Sequence, residues 1–201
     1  VVFNSAGTYH IAATYDSTNE KIVIVYNDDG NYNYGMVIVG NVSGTSINFG
    51  SEYTFESATT AQTAVTFAGN GKVVIAYQDY GNSSYGTARV GTVSGINISI
   101  GSATVYNSAS TFYNAAAYDS TNDKVVIAYQ DAGNTDKGTA IVGTVSGTSI
   151  SFGSEVIFES GRTNHISATY DSTNGKVVIA YEDNSNSSYG TAIVGTVSGT
   201  S

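Results

Sequence analysis

Tyr118–Gly147, YDSTNDKVVIAYQDAGNTDKGTAIVGTVSG, is the stretch that decides the fold. Asp and Asn in its DSTN segment hydrogen-bond their own backbone, which predicts a turn. The segment KVVIAY, which also stands at Lys72–Tyr77, is apolar at consecutive positions, and this pattern is typical of a strand covered on both faces. A polar loop then leads into Thr139–Gly147, rich in Val, Ile and Thr. The stretch therefore predicts two consecutive strands.

The same pattern occurs four times along the chain. Its marker is the aromatic residue before the first turn, and the four markers are 52, 51 and 52 residues apart: Tyr15, Phe67, Tyr118 and Tyr170. The repeats occupy approximately residues 8–58, 59–109, 110–161 and 162–201, with 1–7 added to the last. We treat residues 1–201 as a single repeat domain.

Each repeat predicts four strands, named a to d. Strand a is represented by Ile11–Tyr15, and strand d by Ile150–Phe158. A four-stranded unit that is apolar on both faces cannot bury itself alone, but radial stacking of such units buries every face. We therefore expect an all-β, four-bladed β-propeller with four antiparallel strands per blade. A straight stack of sheets is the alternative.

The two ends of the sequence predict how the ring closes. Val1–Ser5 aligns with Val156–Ser160, in strand d, whereas the last residues follow strand c. We expect Val1–Phe3 to pair beside the strand that ends near Gly199, so that the N-terminal strand completes the last blade and hides the sheet edges.

Repeat length, strand count and the phase of the two ends resemble those of tandem-repeat β-propellers of the lectin and phage-fibre type. The resemblance spans nearly the whole chain. Neither the sialidase S-x-D-x-G-x-T-W box nor a WD dipeptide is present. The resemblance implies a secreted protein, or a module on the surface of a virion or cell, that stands alone, forms homo-oligomers or belongs to a longer chain.

Composition argues against several function classes. The formal net charge is −9, with 7 Lys plus Arg against 16 Asp plus Glu, so no basic face is available for nucleic acid. The absence of cysteine excludes disulfides, thiolate metal sites and a Cys nucleophile. No apolar run approaches the roughly 20 residues that span a bilayer, so we expect no membrane insertion.

One aspartate recurs at the end of strand b in every repeat, followed in three repeats by x-Gly-Asn. These residues are Asp28, Asp79, Asp131 and Asp183. A D-x-G-N loop offers oxygen ligands of the kind that Ca²⁺ takes. The other interpretation is that each carboxylate caps a Gly-rich turn, and recurrence in all four copies favours it. We expect no other cofactor.

Residues that differ between the copies are the better candidates for a site. They cluster at the start of strand a, and the candidate ligand-binding set is Tyr9, His10, Gln62, Phe112, Tyr113, Arg162, Asn164 and His165. Aromatic and hydrogen-bonding side chains together suit a sugar or another small polar ligand. We expect them around one mouth of the central channel, with Arg162 favouring an anionic group. Drift of exposed loop tips is the alternative explanation.

The sequence favours a non-catalytic, lectin-like binding module whose partner is a glycan or a small polar ligand, acting as an adhesin or a toxin component. A purely structural repeat of a fibre is one alternative. A metal-assisted hydrolase using His10 and His165 is another, but no nucleophile and base recur at recognisable spacing. Arg89, at a position held elsewhere by Ile, is interpreted as a drifted surface position or as a side chain whose stem packs while its head reaches water, in preference to a ligand-binding role.

Overall fold

The computed structural model describes residues 1–201 as fifteen antiparallel strands and four three-residue 3₁₀ turns. None of the helical segments has the length and apolarity needed to span a membrane. The strands are β1 Thr8–Asp16, β2 Lys21–Asp28, β3 Tyr34–Ser43, β4 Ser46–Phe49, β5 Tyr53–Phe67, β6 Lys72–Asp79, β7 Tyr85–Ser94, β8 Asn97–Ile100, β9 Thr104–Asp119, β10 Lys124–Asp131, β11 Lys137–Ser146, β12 Ser149–Phe152, β13 Val156–Asp171, β14 Lys176–Asp183 and β15 Tyr189–Gly195.

Three long strands join four repeated units. β5 pairs with β3 through its first residues and with β6 through its later ones, and β9 and β13 are shared in the same way. Unit 1 comprises β1 to β4 and the start of β5. Units 2 and 3 repeat this arrangement, and unit 4 comprises the later part of β13 with β14 and β15. The first strand of each unit lies beside the first strand of the next.

Strand d differs from its predicted form. The stretch predicted as one strand, Ile150–Phe158, is divided between β12, which pairs as a hairpin with β11, and the beginning of β13 at Val156. The break falls at Gly153, where an added Cβ would lie 1.9 Å from the carbonyl oxygen of Thr200 in unit 4. The chain therefore leaves the β11 ladder at the point where the backbone of the next unit approaches it.

The predicted closed ring is wrong. The strand order runs from β1 to β15 without returning, and residues 1–7 form no strand. Val1 and Val2 are 89% and 78% exposed, and β15 has no outer partner. Closure of a ring depends on the rotation between successive units, and side-chain packing between the units sets that rotation. The position in the repeat at which the sequence begins and ends carries no information about it.

The core lies between units. In the first cluster, Val25 and Val37 of unit 1 pack with Val73 and Ile75 of unit 2, and similar clusters lie between the later units. Strands with apolar residues at consecutive positions are thereby covered on both faces.

An aromatic side chain packs across each junction between successive units. Phe55 lies over Gly35 of its own unit, where an added Cβ would be 2.4 Å from the ring, and it packs edge-to-face on Tyr77 of unit 2 at 5.2 Å between centroids. Tyr106 and Phe158 make the same pair of contacts at the next two junctions. Glycine is required at this position because any side chain would occupy the space of the ring.

Candidate ligand-binding site

A β-bulge interrupts the first strand of every unit. The ladder between β1 and β2 shifts register between Tyr9 and Ala12, and the other three units shift at the matching place. One residue of each bulge has a left-handed backbone, with φ of 50°, 53°, 52° and 49° at His10, Gln62, Tyr113 and His165. Non-glycine residues rarely adopt this conformation, and such strain concentrates at functional sites.

Neighbouring bulges contact one another and form a continuous row, here called the bulge row: His10, Gln62, Tyr113 and His165. The hydroxyl of Thr63, next to Gln62, donates to the carbonyl of His10. The backbone N–H of Tyr113 donates to Gln62 Oε1 at 2.9 Å. The Tyr113 and His165 rings lie 4.9 Å apart at 54°. The bulges thus aim four side chains of three different chemistries along one line of the molecule.

A cavity of about 280 Å³ opens between units 1 and 2, and we call it the seam cavity. Tyr9 and Tyr80 are 54% and 52% exposed, so two aromatic rings line a space whose remaining wall is mainly polar. The lining residues are Tyr9, His10, Asn27, Asn33, Thr59, Thr60, Ala61 and Tyr80.

A buried amide holds the floor of the seam cavity. Asn27 Nδ2 donates at 2.7 Å to the carbonyl of Asn33 and at 2.7 Å to that of Thr60, which joins unit 1 to unit 2. The buried hydroxyl of Thr60 has no hydrogen-bond partner. Burial lowers the pKa of His10 from 6.5, so its imidazole is neutral at pH 7 and offers one donor and one acceptor.

The far end of the bulge row is a hydrogen-bonded network in units 3 and 4. Gln130 Nε2 donates to Asn164 Oδ1, and Asn164 Nδ2 donates to Glu182 Oε1, both at 3.1 Å. Glu182 Oε2 also lies 3.9 Å from His165 Nε2. His10 and His165 are therefore at opposite ends of an open sheet, and the paired histidines of the hydrolase interpretation do not face each other.

Arg162 and Phe112 each have a neighbour within the protein. Arg162 Nη1 lies 3.9 Å from Asp136 Oδ2, so a carboxylate of the protein already faces this guanidinium. The Arg162 side chain is nevertheless 55% exposed, so its expected preference for an anionic ligand stays a prediction. Phe112 is half-buried and pairs with Gln130 in the ladder between β9 and β10.

The recurring aspartates cap turns. Oδ1 of Asp28, Asp79, Asp131 and Asp183 accepts a backbone N–H two residues ahead at 2.9–3.0 Å. These bonds hold the 3₁₀ turn that follows strand b, as the turn-capping interpretation requires. Nowhere in residues 1–201 do three or more His, Cys, Asp or Glu side chains come together in a group that could hold a metal ion.

Arg89 is part of the wall between units 1 and 2. Its Nη2 contacts Glu56 Oε2 at 2.9 Å, its Nε donates to the Tyr77 hydroxyl at 3.1 Å, and its Nη1 donates to the Gly101 carbonyl at 3.2 Å. The side chain is 22% exposed. A guanidinium with three internal partners is a packing element, whereas the sequence interpretation expected the head of this side chain to reach water.

Sequence reasoning missed Tyr80 and the left-handed bulges. Tyr80 stands directly after Asp79, where the other copies have Asp29, Ala132 and Asn184, so comparison of copies at this position would have identified it. The bulges gave only a weak signal, because His is enriched in left-handed backbone among non-glycine residues but Gln and Tyr are not.

No family model and no curated protein matches the chain. Solved structures do resemble it. The NanB sialidase from Streptococcus pneumoniae, in complex with a chlorobenzylammonio ethanesulfonate, superposes with a TM-score of 0.63 at 15% identity over 88% of this chain. Sqt1 from Chaetomium thermophilum gives 0.59 at 11% identity over 90%. Sqt1 bound to the N-terminus of ribosomal protein L10 gives 0.57 at 11% identity over 86%.

The chain spans 28% of the sialidase and 43% of Sqt1. At identities this low, the likeness shows a similar arrangement of the backbone and nothing more. Both neighbours are propeller-like, as is the succession of antiparallel units described above. The chain therefore has an all-β, β-propeller-like fold in which the sheet remains open.

Proposed function

We propose that this protein is a non-catalytic binding module, and that its seam cavity takes a neutral sugar or a similar polyhydroxylated ligand. The observation that carries the proposal is the pairing of two exposed tyrosines, Tyr9 and Tyr80, with polar groups in one cavity between repeats. Tyrosine rings offer an apolar face to the C–H side of a sugar and a hydroxyl to its edge.

Three features of the cavity support this ligand class. The neutral imidazole of His10 can both donate to and accept from a hydroxyl. The Thr60 hydroxyl is buried without a partner, so a ligand hydroxyl that reaches it would satisfy an unmet hydrogen bond. The amide nitrogen of Asn27 donates both of its hydrogens to backbone carbonyls, so this side chain acts as a rigid support. A fixed floor with adaptable walls reduces the ordering cost of binding.

The similar structures include one with a bound small molecule and one with a bound peptide, which supports a binding role for this class of fold. Each neutral hydrogen bond adds about 0.5–1.5 kcal/mol net. Two or three of them with one ring stack correspond to a Kd near the millimolar range, about −4 kcal/mol. Useful affinity then requires several sites acting together.

The test is a glycan panel followed by calorimetric titration of the best ligand. Tyr9→Ala and Tyr80→Ala should each weaken binding about tenfold, the equivalent of 1.4 kcal/mol. Tyr53→Ala is the matched control, because Tyr53 is also exposed but lies in β5 away from the cavity.

Unchanged affinity in both cavity variants would overturn the assignment of the site. Absence of binding to every glycan of the panel would overturn the ligand class and would favour a purely structural repeat.

A further inference from the structure

The outer edge of β15 lacks contacts that the matching strands have. Val194 is 62% exposed, whereas its counterpart in unit 3, Val142, is 6% exposed. An apolar groove of about 260 Å³ runs beside this edge, lined by residues that include Ile193 and Val197. Gly190 has no atom within 4 Å of its Cβ direction, although Gly138 at the same repeat position meets Phe158 at 2.6 Å.

The aromatic–glycine contacts identify what is missing. Phe55, Tyr106 and Phe158 each cover a glycine of their own unit and pack on a tyrosine of the next unit at 5.2 Å. Phe3 makes the second contact, packing on Tyr26 at 5.2 Å, but covers no glycine. Gly190 is the one glycine of this set without a ring, and Phe3 is the one ring without a glycine.

The residues around Phe3 are those expected of a segment that pairs with the outer edge of β15. The segments that join successive units alternate along the chain: VVFNSA at 1–6, YTFESA at 53–58, TVYNSA at 104–109 and VIFESG at 156–161. Asn and Glu alternate at the fourth position. The last of these segments, VIFESG, carries Glu. The next segment in the series, which would pair with β15, therefore continues the alternation if it carries Asn, as VVFNSA does.

We propose that β15 is an interface for a second copy of this chain, whose Val1–Ser5 pairs with it as the missing outer strand. The first residues of the same chain are a poor occupant, because Phe3 packs on Tyr26 and Phe49 in unit 1, at the opposite end of an open sheet from β15. A second copy brings its own unit 1 together with the strand. The contact between the two copies then has the same form as the contact between successive units within one chain.

Register follows from the internal junctions. In unit 3, Val156 pairs with Ala140 and Ile157 with Thr139. The equivalent pairs between copies are Val1 with Ala192 and Val2 with Thr191 of the partner copy. If the rotation closes after two copies, both β15 edges are covered in a symmetric ring; otherwise the same contact extends into a longer head-to-tail assembly.

One residue distinguishes this junction from those inside the chain. Glu182 stands where Asn27, Gln78 and Gln130 supply a buried amide. Its carboxylate accepts from Asn164 and faces His165, so the charge has partners on its own side of the interface.

The first test is sedimentation velocity of the chain at about 1–100 µM, a range that brackets a micromolar Kd. We expect a concentration-dependent species with at least twice the 20.8 kDa chain mass. Val194→Glu and Gly190→Val, both at exposed positions, should abolish it, whereas Val105→Glu on the exposed outer strand of unit 2 should not. A single-copy mass at every concentration would overturn the proposal.

The second test uses the absence of native cysteine. Val2→Cys together with Thr191→Cys should form a disulfide between copies on oxidation, because residues directly opposite in a ladder lie within disulfide range. Val105→Cys together with Thr191→Cys is the control and should not cross-link. A disulfide within one chain would instead show that the first residues close on their own β15 and would contradict the second-copy proposal.

Discussion

Gly86 of β7 lies beneath the ring of Tyr106, and its replacement by alanine should destabilise the fold. A Cβ here would lie 2.6 Å from Tyr106 Cε2 and 2.7 Å from Thr111 Cγ2. The ring has no room to move, because it is 5% exposed and packs on Tyr129 and Phe152 at 5.2 and 5.8 Å. Overpacking of this kind costs about 1–3 kcal/mol, which lowers Tm by about 2–12 °C for a chain of this length.

Gly190→Ala is the matched control, because Gly190 occupies the same repeat position in unit 4 and has no atom within 4 Å. The two variants are compared by urea unfolding followed by far-UV circular dichroism, at a concentration where light scattering gives a single-copy mass. The control should stay within about 0.5 kcal/mol of the parent, as surface substitutions do. Equal loss in both variants, or none in Gly86→Ala, would refute the role assigned to the aromatic–glycine contact.

Two further predictions concern the polar side chains of Arg89 and His10. Arg89→Ile should destabilise the protein by about 1–3 kcal/mol in urea unfolding, because Glu56 is left with only the Tyr77 hydroxyl, and adding Glu56→Gln should recover most of the loss. An additive double variant would show that the two residues are not coupled. Burial lowers the pKa of His10, so the stability linked to this residue is fully present above pH 6.5 and is lost as the pH falls through the folded-state pKa. His10→Gln, which introduces the residue of unit 2, should make the unfolding free energy less dependent on pH between 7 and 5; an unchanged slope would contradict the lowered pKa of His10.

The sequence was informative where local pattern decides the structure. The predicted strand Lys72–Tyr77 lies within β6, and Thr139–Gly147 matches β11 to within two residues at each end. Consecutive apolar residues predicted strands covered on both faces, and Val73 and Ile75 are fully buried.

The sequence misled where distant units decide the structure. Ring closure was inferred from the phase of Val1–Ser5, yet the same residues suit the β15 edge of a second copy equally well. The stretch Ile150–Phe158 predicts one continuous strand d, but the structure breaks it at Gly153, where the backbone of the following unit approaches. Comparison of copies located the bulge positions His10 and Tyr113, but the left-handed backbone that aims them is not predictable from these residues, because His is enriched in that conformation and Tyr is not.

The two histidines provide the most direct measurement of the binding site, since His10 lines the seam cavity and His165 lies at the far end of the bulge row. Their side-chain resonances are followed by two-dimensional NMR during titration with the best ligand of the glycan panel. The account predicts saturable shifts of the His10 resonances, with those of His165 unchanged. Binding that shifts the His165 resonances and leaves His10 unperturbed would contradict it.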